Sequence, residues 1–277
     1  MVIKQSRRSV CGAALLMALA LSVGMGSAAA LEVVKVGSTP GVTADAIEAL
    51  KDEAKTQGLD VQLVEFTDWT LPNEALNNAD IDLNFFQHQA FLQNAVKERG
   101  YRIELIGLGL LQNIGLYSNK HTTLDALPVG AKVSLPNDPV NQGRGLLLLQ
   151  KAGLITLKNG DDTGATVHDV VGNPKRLQLV EIEGPQLIHS LADVDLAVVW
   201  PSYFVNAGKK EQAGKGLAYS GIADTYYAMG FAARSDRAKE AKLTQLVQLF
   251  QRSPKVREVI DASFDHNKNL YTLPWQQ

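Results

Sequence analysis

The sequence predicts an α/β protein of two lobes, with mostly parallel sheets flanked by helices and a ligand cleft between the lobes. Three observations carry this. Short apolar runs alternate with helix-period segments along the chain, the order that builds parallel sheets covered by helices. No repeat, low-complexity segment or Ser/Gly linker interrupts the chain, so two lobes would have to be joined by strands. Polar and aromatic residues gather just after strands, where ligands sit in open α/β sheets.

The first thirty residues read as a leader rather than as part of the fold. Lys4, Arg7 and Arg8 make a basic start, an apolar run follows from Val10 to about Met25, and Ser27-Ala28-Ala29-Ala30 closes it. This is the pattern of a secretory signal with a cut after Ala30. Gly24 and Gly26 break the run, which is short for a membrane span. Cys11, the single cysteine, precedes most of that run. It leaves with the leader, so no disulfide, thiol chemistry or cysteine metal ligand is expected, and no lipobox is seen. A soluble periplasmic protein is the expectation. The chain has 27 basic and 29 acidic residues, three of the basic ones in the leader, so the rest carries a net charge of −5. A mildly acidic surface argues against nucleic acid and anionic membrane faces as partners.

Lobe I is expected over residues 31–118 and 229–277. Residues 33–36 form a strand ending at Gly37-Ser38-Thr39-Pro40-Gly41. A helix over 44–57 follows, with Thr43 as N-cap, Ile47, Leu50 and Ala54 on its apolar face, and Gly58 as its stop. Strands are expected at 61–66, 81–86, 103–107 and 115–118, a short helical piece at 73–78 and a helix over 89–99 closed by Gly100. Near residues 226–233 the chain returns to strand character, and helices over 238–251 and 255–264 finish it.

Lobe II is expected over residues 119–228. It holds strands at 132–135, 178–182 and 196–200, a helix over 143–152, and short helical pieces at 186–192 and 203–208.

The most informative stretch is Ser134-Leu135-Pro136-Asn137-Asp138-Pro139-Val140-Asn141-Gln142-Gly143-Arg144-Gly145. It reads as a strand end, a polar turn and the first turn of a buried helix carrying an arginine. Backbone N–H groups, the positive end of the helix dipole and a guanidinium would then converge on one spot fit for a carboxylate. Arginine in a first turn opposes the dipole, so capture of an anion by Arg144, with Asn141 adding an amide, is favoured over a surface ion pair. Phe86 and His88 fall at a strand-to-helix junction, where they could wall a ligand or serve core and helix end. Trp69 and Trp200 each follow a strand, as a ligand platform or a packing plug.

Enzyme signatures are absent. There is no Gly-x-Ser-x-Gly elbow, no His-Glu-x-x-His and no phosphate loop. The five histidines are scattered, with none at metal-ligand spacing from another, so no metal site or cofactor is expected.

The same segments carry a resemblance. Thr39-Pro40-Gly41, Val64-Glu65-Phe66-Thr67-Asp68, Pro72-Asn73-Glu74-Ala75-Leu76, Asp82-Leu83-Asn84-Phe85-Phe86-Gln87-His88, Pro136-Asn137-Asp138-Pro139 and Gly143-Arg144-Gly145-Leu146-Leu147-Leu148-Leu149 recur in order. So do Val180-Glu181-Ile182-Glu183 and Pro185-Gln186-Leu187. Together they resemble the substrate-binding proteins of methionine ABC importers, the MetQ/NlpA type, over essentially the whole mature chain. The resemblance implies a two-lobed periplasmic-binding-protein fold that closes on a small amino acid or related carboxylate. It also implies an inner-membrane permease with its ATPase as partner, and no catalysis. A monomer is expected.

Carried over by position, Trp69 takes a place that is usually tyrosine, Phe86 and His88 wall the ligand side chain, and Asn141 and Arg144 make its polar contacts, Arg144 on the carboxylate. Trp200 and Met229 stand where the family usually has asparagine, and Val42 and Thr43 where it often has Pro-His. Ser202 or Tyr203 could substitute for the lost amides. These departures leave open a small organic or sulfur-containing anion other than methionine. The readings of another class are a secreted acid–base enzyme using His88 with Asp68 or Asp82, and an envelope protein whose cleft Trp200 has filled.

Overall fold

The computed structural model describes Met1 and residues 30–276. The expected leader falls on residues 2–29, outside the described residues. In chain order the elements are β1 (Glu32–Ser38), α1 (Val42–Thr56), β2 (Leu59–Glu65), α2 (Leu71–Asn77), β3 (Leu83–His88), α3 (Gln89–Arg99), β4 (Ile103–Gln112) and β5 (Gly115–Tyr117). Then come β6 (Lys132–Pro136), α4 (Pro139–Lys151), β7 (Thr156–Leu157), β8 (Val170–Gly172), β9 (Gln178–Ile182), α5 (Leu187–Ser190), β10 (Leu196–Val199) and α6 (Pro201–Asn206). The last are β11 (Ala218–Tyr219), β12 (Met229–Arg234), α7 (Ala241–Arg252), α8 (Pro254–Ser263) and β13 (Tyr271–Thr272). No helix among the described residues is long and apolar enough to cross a membrane.

Two large sheets result. One has the order β13-β4-β12-β3-β1-β2 and the other β11-β5-β10-β6-β9. The α/β class holds, but the sheets are mixed rather than mostly parallel. β1 runs parallel to β2 and β3, and β6 to β9 and β10. β12 lies antiparallel between β3 and β4, and β5 antiparallel to β10 and β11. β5 and β12, each the first strand after a passage from one sheet to the other, run antiparallel to their neighbours, and β13 is antiparallel to β4.

The first passage falls between Gln112 and Gly115. The strand expected at 115–118 in the first lobe belongs to the second sheet. The return lies between Tyr219 and Met229. Asn113 ties the two passages together: its Oδ1 accepts from the Ser220 hydroxyl at 2.9 Å and from Gly221 N–H at 2.8 Å.

Each sheet buries its own aromatic centre. Phe85 stacks on Phe231 at 4.5 Å, and Phe250 from α7 meets both edge-on. In the second sheet Tyr117 packs on Phe204 at 4.4 Å. Every side chain of β3 is buried, polar ones included. Its amides Asn84 and Gln87 are satisfied by Asn73 of α2 at 2.9 and 2.8 Å, as buried amides require.

Two helix starts differ from expectation, and both bear on the site. α1 begins at Val42, with Gly41 as N-cap at φ 99°, a conformation glycine adopts freely. Thr43 is not the cap but lies inside the first turn, its hydroxyl 2.9 Å from that of Ser38. α4 begins at Pro139 rather than Gly143, because Asp138 caps it and proline suits the first helical position.

Candidate functional site

β3 runs into α3 without a loop, and this places His88 as the N-cap. Its Nδ1 accepts Phe91 N–H at 3.2 Å, which leaves the ring proton on Nε2. Nε2 then donates to Asn141 Oδ1 at 3.1 Å. That bond turns the Asn141 amide nitrogen toward Asp138, whose carboxylate accepts it at 3.1 and 3.2 Å. Asp138 also accepts Asn141 N–H at 2.9 Å. One hydrogen-bond chain therefore runs from the start of α3 to the start of α4. Burial, aided by the neighbouring Arg144 cation, pushes the His88 pKa down to about 3, so the imidazole is neutral.

The starting point of α4 changes the expected anion seat. Arg144 sits in the second turn, not the first, and the N–H groups at the helix start are turned toward the carboxylate of Asp138. The free helix end predicted from the sequence is thus filled by the protein's own cap, and the anion-binding element left is the guanidinium. Arg144 is only 6% exposed. Its Nη2 donates to the Gln112 carbonyl at 3.3 Å, and its Cζ lies 4.5 Å from the Tyr227 ring centre. Burial lowers its pKa to about 10, so it remains a cation at neutral pH.

Aromatic rings at steep angles wall the space in front of it. Trp69, in the segment between β2 and α2, meets Phe91 edge-on at 6.0 Å and Trp200 at 5.5 Å. Trp200 meets Tyr203 at 6.0 Å, and Phe86 meets Phe91 at 5.9 Å. A cavity of about 60 Å³ remains among them. Trp69 and Tyr203 also wall a neighbouring space of about 280 Å³ that extends past Ile188 and His189.

All eight residues singled out in the sequence line the inner cavity: Trp69, Phe86, His88, Asn141, Arg144, Trp200, Tyr203 and Met229. Met229 stands opposite His88 in the β3–β12 register. The sequence reading missed Gln112, Phe91 and Tyr227, which also line it. Gln112 ends a strand longer than its hydrophobic pattern suggested. Tyr227 precedes Met229 by two residues in a segment that was read as strand and is a turn. Thr43, misread as a cap, lines the cavity from α1.

Two mixed α/β sheets joined by short passages, with one buried cation in an aromatic-walled cavity between them, define the class of the substrate-binding proteins. The chain belongs to the NlpA lipoprotein family, whose model matches residues 34–270. It is 41% identical over 237 residues to the D-methionine-binding lipoprotein MetQ of Yersinia pestis, covering 84% of this chain and 86% of that one. Among solved structures it is similar to a nutrient binding protein from Burkholderia cenocepacia bound to methionine. The TM-score there is 0.81 with 38% identity, over 87% of this chain and 100% of that chain. A periplasmic substrate-binding protein of an ABC transporter from Coxiella burnetii gives a TM-score of 0.79 at 38% identity, over 87% and 99%. The lipoprotein names speak for a lipid-attached form in the family, against the unanchored form expected here from the position of Cys11.

Proposed function

We propose that this chain is the periplasmic receptor of an ABC importer. It takes up a small amino acid or related carboxylate of the methionine type and hands it to an inner-membrane permease with its ATPase. The ligand's carboxylate sits on Arg144, Asn141 adds a polar contact, and Trp69, Phe86, His88, Trp200, Tyr203 and Met229 enclose the rest. The body built on the β1–β4 and β12 sheet and the body built on the β5, β6 and β10 sheet act as two lobes. They close on the ligand by bending at residues 113–114 and 220–228, the two passages between them. The closed monomer docks on the permease.

The single observation that carries this reading is Arg144. A nearly buried guanidinium with five donors makes one hydrogen bond among the described residues, to a carbonyl, while facing a cavity. Such a group waits for an anion. The relatives named as methionine-binding and as bound to methionine support the ligand class.

An acid–base enzyme is disfavoured by the same geometry. Both ring nitrogens of His88 are engaged, Asp68 caps Thr70 and Leu71 N–H at 2.7 and 2.9 Å, and Asp82 pairs with Arg237. No chemistry is done on the ligand. A cleft filled by Trp200 is disfavoured too, because open space persists beside that indole.

Thermal unfolding of protein stripped of ligand by unfolding and refolding tests the proposal. A true ligand at about 100 times its Kd adds roughly 2.7 kcal/mol, a Tm rise of about 5–10 °C for a chain of this size. Methionine or a methionine-like carboxylate is expected to give that rise. A panel in which no small carboxylate moves Tm refutes the receptor reading.

A further inference from the structure

We infer that this cavity selects a small carboxylate that carries no ammonium group, with a short apolar tail such as a thioether. The inference rests on the receptor reading above and narrows its substrate class.

An α-amino acid brings two charges on one carbon. Each has to be met when water is excluded, because an unmatched ion in a buried site costs several kcal/mol. Here only one of the two is met. Among the described lining residues Arg144 is a cation and none is acidic. The nearby carboxylates are committed elsewhere. Asp138 lies behind Asn141 and accepts both its backbone and side-chain N–H groups. Asp224 is exposed and does not line the cavity; it accepts Tyr226 N–H at 3.0 Å as the cap of a short turn, and its charge falls on Arg144.

The buried amide and imidazole acceptors on the wall are engaged as well, and the hydroxyls of Ser202, Tyr203 and Tyr227 that also line it carry no charge to match an ammonium. Asn141 Oδ1 accepts from His88, and His88 Nδ1 from Phe91 N–H. Gln87 Oε1 accepts from Asn73 at 2.8 Å, and Gln112 Oε1 faces Ser202 N–H at 3.4 Å. The two strand ends that open onto the cavity, after β10 and at the start of β12, present an indole and a thioether in Trp200 and Met229. An ammonium placed there would share the cavity with the Arg144 charge and find ring faces and a thioether but no carboxylate. A carboxylate without an ammonium matches the single cation and leaves no charge unpaired.

The matched pair that isolates the amino group is 4-(methylthio)butanoate against methionine, which differ by that group alone. Titration calorimetry on ligand-stripped protein is run with this acid, with L-methionine and with D-methionine. The acid is expected to bind at least about tenfold tighter than either enantiomer, the effect of roughly one unpaired buried group. Methionine binding as tightly as the acid, or tighter, overturns the inference and leaves the receptor reading standing. Failure of all three to bind overturns both. In Met229→Asn, which sets an amide carbonyl opposite His88, the preference for the acid is expected to shrink several-fold. An unchanged ratio overturns the placement of the missing acceptor at Met229.

Discussion

His88 and Asn141 come from opposite sheets and are joined by one hydrogen bond, Nε2 to Oδ1 at 3.1 Å, at the floor of the cavity. His88 ends β3 in the first sheet, and Asn141 lies in the first turn of α4 on the second. The bond fixes the imidazole tautomer and the amide orientation together, so a pair of neutral groups holds the two bodies in one register beside the Arg144–Gln112 contact.

Replacing Asn141 by alanine leaves the buried His88 N–H without its acceptor and removes from Asp138 the amide nitrogen that reaches both its oxygens. An unpaired buried group costs about 1–3 kcal/mol. Because the lost bond spans the cleft, the cost falls on the closed form, and ligand affinity is expected to drop about 10- to 100-fold. Calorimetry shows this, with far-UV circular dichroism confirming the fold.

The neutral state of His88 sets a pH dependence of stability. Its ordinary pKa is 6.5 and in the folded protein it is about 3. Between those values the unfolded chain binds a proton that the folded one does not, so stability is present above about pH 6.5 and falls as pH drops toward 3. The slope from this group is about 1.4 kcal/mol per pH unit. Urea unfolding at pH 7 and pH 4.5 is expected to show that loss, and His88→Gln is expected to remove this component. Asp138 acts in the opposite sense, since burial raises its pKa. Comparison with the variant therefore isolates the histidine. Equal pH dependence in both proteins would rule out a buried neutral His88.

Arg144→Ala is expected to weaken carboxylate binding about 100-fold, since hydrogen bonds to charged groups contribute about 1.5–3 kcal/mol each. Arg144→Lys keeps the charge but loses the planar fork and its contact with Tyr227, and is expected to fall between. Full-strength binding by the alanine variant would show that the anion sits elsewhere.

The elements and the site differ in how legible they were. α3 and β9 have the bounds their patterns predict, because Gly100 stops the helix in the left-handed conformation and β9 pairs with β6 along its whole length. Most of the eight residues that line the cavity stood out because aromatic and polar side chains follow strand ends, while Met229 stood out only through the family resemblance. What the sequence hid were capping choices: Asp138 outcompeted the later Gly143 as a start for α4, and Gly41 outcompeted Thr43 for α1. Each depends on which side chain meets which N–H in space. The directions of β5 and β12 were hidden too, since each follows a passage between the sheets that no local pattern sets. Gln112 and Tyr227 escaped because their roles, a carbonyl and a ring face for Arg144, leave no trace in residue spacing.

Gly184 is the last test of how the cleft closes. It opens the segment after β9, and a Cβ built on it would lie 2.0 Å from Trp69 Cη2 and 2.3 Å from Cζ3. Trp69 belongs to the segment after β2, so this contact joins the first sheet's body to the second's. The φ of Gly184 is not in the left-handed region, so alanine strains no backbone there; its whole effect is steric and falls on the indole. Gly184→Ala is expected to push Trp69 outward, breaking its edge contact with Trp200. Overpacking of this kind costs about 1–3 kcal/mol, read as roughly a 10- to 100-fold loss of ligand affinity with a changed tryptophan emission. The atoms that clash belong to the six-membered ring of the indole, which phenylalanine would not extend as far. In the double variant Gly184→Ala with Trp69→Phe the two losses are therefore expected to be less than additive. Strict additivity would mean that the two residues do not meet when the ligand is bound.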